Sequence, residues 1–381
     1  MEPLDRLLNP LYATRGLLLS RAGWWAGRRP DAASTPARFE TYLRRGLLAR
    51  MGYGEARLTP LRPEEPKPDR LILRKVEAEG RPPLLARCYP RATGKARGQE
   101  RRRLAGRLAR RGILTPEILA VDDSYATLGR HRFELVLERW IEGRHPRPED
   151  FAPPTSPWPA RLAELLALHH GDQAPTAGRP WRRQAPVDGA FLREHFGGKL
   201  ARATEALAGC DFIAWNGELG RAIRERLRRG LDELCPSPPC SLVNGDLQLG
   251  NLMLVEGERP AVALVDFGAC HYGLWPWDFV KVFHQVLGRN VAAFGRLARA
   301  YFEFRPQADG AEFDRFIPFF ELYYHVEKAG STFARYRRSL RRGGSLGEAA
   351  HLRDRVERSW RGALEVFRSP LRIPADLTPS A

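Results

Sequence analysis

L-V-N-G-D-L-Q-L-G-N at residues 242–251, followed shortly by A-L-V-D-F-G-A at 263–269, is the stretch on which the fold of this chain turns. Within C-S-L-V-N-G-D-L-Q-L-G-N-L-M-L-V-E-G-E-R-P-A-V-A-L-V-D-F-G-A at 240–269, apolar runs alternate with polar clusters. The pattern reads as strand, tight loop, strand, turn, strand, loop. Three short polar side chains sit at the loop positions: Asp246, Asn251 five positions later, and Asp266 just after the third strand. Asp and Asn also cap ordinary turns. Here spacing, order and context agree, and a chance turn does not supply all three.

Downstream, W-P-W-D at 275–278 opens a region that reads as helical to about residue 368. Upstream, W-P-A-R-L-A-E-L-L-A-L-H-H at 158–170 puts Leu162, Leu165, Leu166 and His169 on one helical face, and 190–234 reads as two more helices stopped by P-S-P-P at 236–239. Earlier still the period changes. R-L-I-L-R-K-V at 70–76 and L-L-A-R-C-Y at 84–89, joined by E-A-E-G-R-P-P, predict an antiparallel hairpin. Leu104 and Leu108 predict a helix over 95–111, after which G-I-L-T-P-E-I-L-A-V-D-D re-enters as a strand, and F-E-L-V-L-E at 133–138 is another, ending before Gly143. R-P-E-E-P-K-P-D at 62–69 reads as a linker. The division is a helical, basic N-terminal extension at 1–60, a small sheet-containing lobe at 61–142, and a larger helical lobe at 143–381 carrying the loops 243–251 and 265–268.

Composition narrows the setting. The chain has 381 residues, 43% of them hydrophobic, enough for two lobes. No apolar run approaches the roughly 20 residues of a membrane span, and the N-terminus lacks the plan of a signal peptide, so a cytoplasmic location is expected. The five cysteines, Cys88, Cys210, Cys235, Cys240 and Cys270, form no C-x-x-C pair and read as buried thiols. The net charge of +17, mostly arginine, suits an anionic membrane or a phosphorylated substrate, or reflects compositional bias. No zinc-finger spacing or RNP-like motif accompanies it, so no nucleic acid is expected. Trp24 and Trp25 near Leu17, Leu18 and Leu19 could mark a helix on a membrane surface; a helix packing on the main domain is the favoured reading.

The residue types at the two loops suit phosphoryl transfer, which requires alignment of a hydroxyl with a terminal phosphate and cations to neutralise charge spreading over its oxygens. Asp246 would orient the attacking hydroxyl and accept its proton. Asn251 and Asp266 offer hard oxygens to magnesium. Gly268 would let the chain turn closely behind Asp266.

With these motifs the chain resembles the protein-kinase-like superfamily and, within it, the bacterial lipopolysaccharide kinase and aminoglycoside phosphotransferase group, over about residues 65–330. The helix L-A-E-L-L-A-L-H-H and W-P-W-D at 275–278 add to the likeness. The resemblance implies an α+β, two-lobed protein-kinase-like fold: a small antiparallel-sheet N-lobe with one helix, and a larger, mostly helical C-lobe. It also implies ATP and Mg2+ as cofactors and a loop-steadying role for Asp278. Asn244 stands where the family usually has His, as a support for the loop. In the small lobe the resemblance implies a basic strand residue paired to a helix glutamate. Arg87 and Glu100 occupy those places, with Lys95 and Lys75 as alternative phosphate ligands. Arginine for the usual lysine is not a conservative change. The connector at 137–141, with Glu138 and Trp140, would meet the nucleotide base.

The function expected is ATP-dependent phosphorylation of a hydroxyl on a small molecule or a lipopolysaccharide-core sugar. The substrate would then be a small molecule or glycolipid, with peripheral contact at the anionic inner-membrane surface as a further expectation. An aminoglycoside or other small-alcohol kinase is the alternative, and a catalytically weak pseudokinase module a third.

Overall fold

The computed structural model describes residues 34–61, 72–91, 98–122, 127–128, 131–180, 190–234, 239–308 and 310–371. The chain divides into two compact units after Gly143. Trp24, Trp25, the linker at 62–69, Cys235 and Lys95 lie outside the described residues.

The first unit is built on one antiparallel sheet: β1 (Arg57–Pro60), β2 (Ile72–Glu77), β3 (Leu84–Arg91), β4 (Ile118–Asp122), β5 (Thr127–Leu128) and β6 (His131–Arg139). Its order is β1-β2-β3-β6-β4, with β5 also on β6. The β2–β3 hairpin turns at Gly80, whose φ of +64° suits glycine. Leu84, Ala86 and Cys88 alternate on one face and, through the pairs Ala86↔Leu137 and Cys88↔Leu135, make a continuous apolar surface with β6. Helix α1 (Ser34–Leu43) and the π-turn Arg44–Leu48 cover it with Phe39, Leu43, Leu47 and Leu48. Each such side chain contributes about 1.5–3 kcal/mol by leaving water. Residues 34–60, read as wholly helical, thus also supply an edge strand to the sheet. Pro60 and the absence of apolar alternation hide R-L-T-P as a strand, but an edge position tolerates proline.

The opposite face is polar and carries Arg87, Glu134 and Glu138 under helix α2 (Gly98–Arg110). Gly98 allows the close approach: a Cβ there would stand 2.4 Å from Val121 and 3.2 Å from the Glu134 carboxylate.

The second unit is mostly helical. In order it contains α3 (Pro148–Phe151), α4 (Trp158–His170), β7 (Gln173–Ala174), α5 (Ala190–Ala208), α6 (Glu218–Asp232), β8 (Cys240–Val243), β9 (Leu252–Val255), β10 (Ala261–Leu264), β11 (His271–Gly273), α7 (Pro276–Gln285), α8 (Val291–Phe304), α9 (Gly310–Arg341) and α10 (Leu346–Arg368). The strands form a β9–β10 hairpin and a β11-β8-β7 sheet, the arrangement read from residues 240–268. Helix α4 packs on β8, β10 and α8, while α9 packs on α5, α7 and α10. The core is aromatic: Trp275, Phe279, Tyr301 and Phe313 meet edge to face or tilted, with Trp275 stacked on Tyr301. Among the described residues no helix is long and apolar enough to cross a membrane.

Candidate active site

Strand β8 is buried along its length and delivers the chain into a loop at Asn244. Gly245 follows with φ +72°, and a Cβ there would stand 2.9 Å from the His271 ring, so both conformation and space call for glycine. The backbone N–H groups of Asn244 and Gly245 donate to Asp278 Oδ2 and Oδ1, each at 2.8 Å. One fully buried carboxylate thus accepts from two consecutive loop amides.

Asn244 joins the two loops. Its Oδ1 accepts from the Asp246 N–H at 3.0 Å, and its Nδ2 donates to the Asp266 carbonyl at 3.0 Å. An amide has a donor end and an acceptor end, so this side chain fixes both loops at once. Asn251, in a 3-10 turn over Leu249–Asn251, donates from Nδ2 to the Asp246 carbonyl at 2.8 Å. That bond orients the amide with its nitrogen toward the loop and its oxygen away from it. Asp266 Oδ1 accepts from the Gly268 N–H at 2.9 Å, so Gly268 acts here as a backbone donor to the carboxylate. The Asp246 side chain remains 48% exposed. An oriented amide oxygen and a fixed carboxylate are both hard donors of the kind a hard divalent cation takes.

Behind the loop runs a buried chain of hydrogen bonds that sequence reasoning did not find. Arg305 donates to the Tyr301 hydroxyl at 2.7 Å and to Ser241 Oγ at 3.1 Å. Tyr301 OH then lies 2.9 Å from His170 Nδ1, and His170 Nε2 lies 3.2 Å from Asp278 Oδ2. The hydroxyl receives the guanidinium donor and gives its own proton to Nδ1, which places the imidazole proton on Nε2, facing Asp278. Burial pushes His170 down to about 4, against the opposing pull of Asp278. Burial pushes Asp278 up, but the His170 bond and the loop amides outweigh it and hold the carboxyl below its ordinary value. The pair is thus a neutral imidazole beside a carboxylate. The preceding His169 bonds the Leu242 carbonyl from Nδ1 at 2.8 Å. The apolar helix ending in two histidines was visible in the sequence. Tyr301 and Arg305, more than a hundred residues away, carried no local signal.

One cation stands beside Asp246. Lys281, on α7 one turn beyond Asp278, brings Nζ to 3.7 Å from Asp246 Oδ1. No spacing rule pointed to it.

In the first unit Arg87 is 7% exposed and donates from Nε to Glu138 Oε2 at 2.7 Å. The expected Arg87–Glu100 pair is not formed. Arg87 faces Val136 in the ladder and Leu85 faces Glu138, so Glu138 is the diagonal neighbour on the same face and reaches the guanidinium first. Glu100 sits half-buried in the first turn of α2. The connector also begins later than expected. Residues 137–139 are strand, and the N–H groups of Arg139 and Trp140 donate to the Glu117 and Pro83 carbonyls. Glu138 is therefore a buried partner of Arg87 within the sheet. Trp140 carries Lys75 Nζ at 5.0 Å from its ring centroid.

Residues 69–316 match the model of a family described as a phosphotransferase enzyme family. No match was found among curated proteins. Of solved structures, the chain is similar to a Plasmodium vivax ethanolamine kinase, with TM-score 0.52 and 14% identity over 86% of this chain and 88% of that one. A putative aminoglycoside phosphotransferase from Ralstonia eutropha gives 0.54 and 16% over 83% and 94%. An amicoumacin kinase in complex with AMP-PNP and Ca2+ gives 0.54 and 16% over 90% and 98%. At these identities the likeness is one of fold: α+β, two-lobed and protein-kinase-like.

Proposed function

The chain belongs to the phosphotransferase enzyme family and is a kinase, and from that premise we propose that it transfers the terminal phosphate of ATP to a hydroxyl of a lipopolysaccharide-core sugar, with magnesium. The observation that carries this reading is the half-exposed Asp246 carboxylate on a loop whose backbone is fixed by Asp278, Asn244 and Asn251. Asp246 accepts the acceptor's hydroxyl proton as that oxygen bonds to the γ-phosphorus. The bond from the γ-phosphorus to the bridging oxygen breaks, and ADP leaves. Asn251 and Asp266 would hold the magnesium, which would supply charge neutralisation for the phosphate oxygens. Because the loop is fixed in advance, little reorganisation accompanies the reaction.

For the nucleotide, Arg87 is the proposed phosphate ligand, its guanidinium anchored through Nε by Glu138, with Lys95 as the alternative and Trp140 against the base. Glu100 is retained only as a secondary influence on that site. The +17 charge supports an anionic glycolipid met at the inner-membrane surface. A screen of labelled phosphate transfer from ATP to lipid A precursors, core sugars and aminoglycosides tests the proposal. Transfer to aminoglycosides alone would replace the acceptor with the small-alcohol alternative.

A pseudokinase reading has one observation in its favour. The N–H groups of Arg139 and Trp140, at the start of the connector, are already bonded within the first unit. Magnesium-dependent ATP binding without turnover against every acceptor would select it.

A further inference from the structure

The Asp246 carboxylate has two differently furnished sides. On one, Oδ2 lies 3.4 Å from the side-chain nitrogens of Asn251 and Gln248. On the other, Oδ1 lies 3.7 Å from Lys281 Nζ. Asn251 is the proposed metal ligand, so Lys281 is on the carboxylate oxygen facing away from it, where an acceptor must sit to bring its hydroxyl to Asp246.

Lys281 is one of a group of cations. Its side chain is 10% exposed, and Nζ lies 5.2 Å from the Trp277 ring centroid and 5.9 Å from that of Tyr324. Lys328, one turn further along α9, lies 5.9 Å from the same Tyr324 ring. On α5, Lys199 Nζ lies 3.3 Å from His195 Nε2, and the His195 ring is 5.0 Å from His271, which itself packs against Gly245. Arg179 donates to the carbonyls of Ala269 and Cys270, just past the loop at 265–268. The carboxylates felt by Lys281 are Asp246 and Glu327.

An ammonium buried to this degree is costly without close partners. At 3.7 Å the contact with Asp246 exceeds hydrogen-bond length, so the pair is not closed. Burial pushes Lys281 down to about 8 despite Asp246, and Lys199 is also lowered, mainly by burial. A methionine would fill the same volume against Trp277 and Tyr324 at less cost. The charge is therefore not explained by packing, and it also works against the basicity of Asp246 until an anion lies beside it.

We infer that Lys281, with Lys199 and Lys328 beyond it, forms an anion-binding subsite on the acceptor side of Asp246, so that the alcohol phosphorylated here carries a phosphate or carboxylate near its reacting hydroxyl. This rests on the reading of Asp246 as the residue that receives the acceptor hydroxyl. The anion belongs to a free sugar phosphate or to the phosphorylated sugar of a glycolipid, and both present the same chemistry to an ammonium cluster.

Calorimetry on the full chain saturated with magnesium and AMP-PNP tests it, with glucose, glucosamine and glucose 6-phosphate as probes matched in ring and differing in charge. Glucose 6-phosphate should bind at least about tenfold more tightly than glucose, and glucosamine no more tightly than glucose. Lys281→Met should remove that preference while leaving AMP-PNP affinity intact, Lys281→Arg should retain most of it, and Lys328→Met should weaken it in part. A melting curve for each variant separates lost binding from lost fold, and the milder Lys328→Met serves if Lys281→Met unfolds. A phosphorylated glycolipid presented in micelles, run beside the free sugar phosphate, identifies the source by which of the two shows the Lys281 dependence. Equal response to all three sugars, including no response, overturns the inference. So does preference for glucosamine, or a Lys281→Met loss that falls on AMP-PNP instead. If wild-type protein binds no AMP-PNP, the phosphotransferase assignment of the site fails separately, and the charge preference is still read from titrations without nucleotide.

Discussion

Two pairs of opposite charge, one in each unit, behave differently. Arg87 and Glu138 meet at 2.7 Å with side chains 8% and 1% exposed. Lys281 and Asp246 stand 3.7 Å apart with side chains 10% and 48% exposed. The first is a closed pair inside a sheet, and its charges compensate one another. The second is open on the carboxylate side and leaves a buried ammonium short of partners. Distance and exposure, not residue type, set how far each cation is already compensated: Glu138 anchors the Arg87 guanidinium at 2.7 Å, whereas Asp246 stays 3.7 Å from the Lys281 ammonium.

The closed pair should give the largest stability effect. Glu138→Ala leaves Arg87 and the nearby Arg101 without the buried carboxylate between them, and urea denaturation should show a loss of about 3–5 kcal/mol. Asp246→Ala, by contrast, should leave stability within about 0.5 kcal/mol of wild type, as expected for a half-exposed loop carboxylate. Similar losses for both would erase the distinction.

Asp278→Asn comes next. Its new NH2 group would face either the Gly245 N–H or the Asn244 N–H together with the Nε2–H of His170, so a donor is opposed by a donor in either orientation. A loss of about 2–3 kcal/mol is expected, with a fall in turnover because the loop loses its anchor. A variant with wild-type turnover would remove Asp278 from the account of the loop.

Tyr301→Phe should cost about 1–2 kcal/mol, since it strips His170 Nδ1 and Arg305 of one buried bond each. Its turnover should fall less than that of Asp278→Asn, because Asp278 keeps both loop amides. The KM for ATP should be unchanged, which a purely global destabilisation at assay temperature would not give.

The smallest effect concerns pH. His170 and His271 are held at about 4, chiefly by burial, against an ordinary value of 6.5. Between about 6.5 and 4 the unfolded chain binds more protons at these sites than the folded one, so stability falls as pH drops through that window. At pH 6 each group accounts for about 1 kcal/mol or less. Melting temperature should decline from pH 7 toward pH 5, and a flat profile would mean that these rings take up protons as readily in the fold as in the unfolded chain.

Much of the candidate site was legible because it lies in one contiguous stretch. Asp246, Asn251 and Asp266 sit where strands run into loops, and strand periodicity with Gly and Asn turn chemistry marks those places without tertiary knowledge. Asp278 was legible by likeness alone. Lys281, Tyr301 and Arg305 were not, since each acts across the packing of α7 and α8 on the loop and looks like an ordinary helical residue in sequence. The Arg87 partner was misread because a helix glutamate was sought where the ladder offers a diagonal neighbour. The β1 strand was missed for a related reason. Edge pairing and strand length are fixed by the neighbouring strand, not by the local run of residues.

The most direct measurement of the central claim is labelled-phosphate transfer from ATP by wild type and Asp246→Asn, with magnesium-dependent nucleotide binding recorded on both. The account predicts turnover lower by about 10²–10⁴-fold in the variant, with nucleotide affinity and melting temperature close to wild type. Near-normal turnover in Asp246→Asn would contradict it.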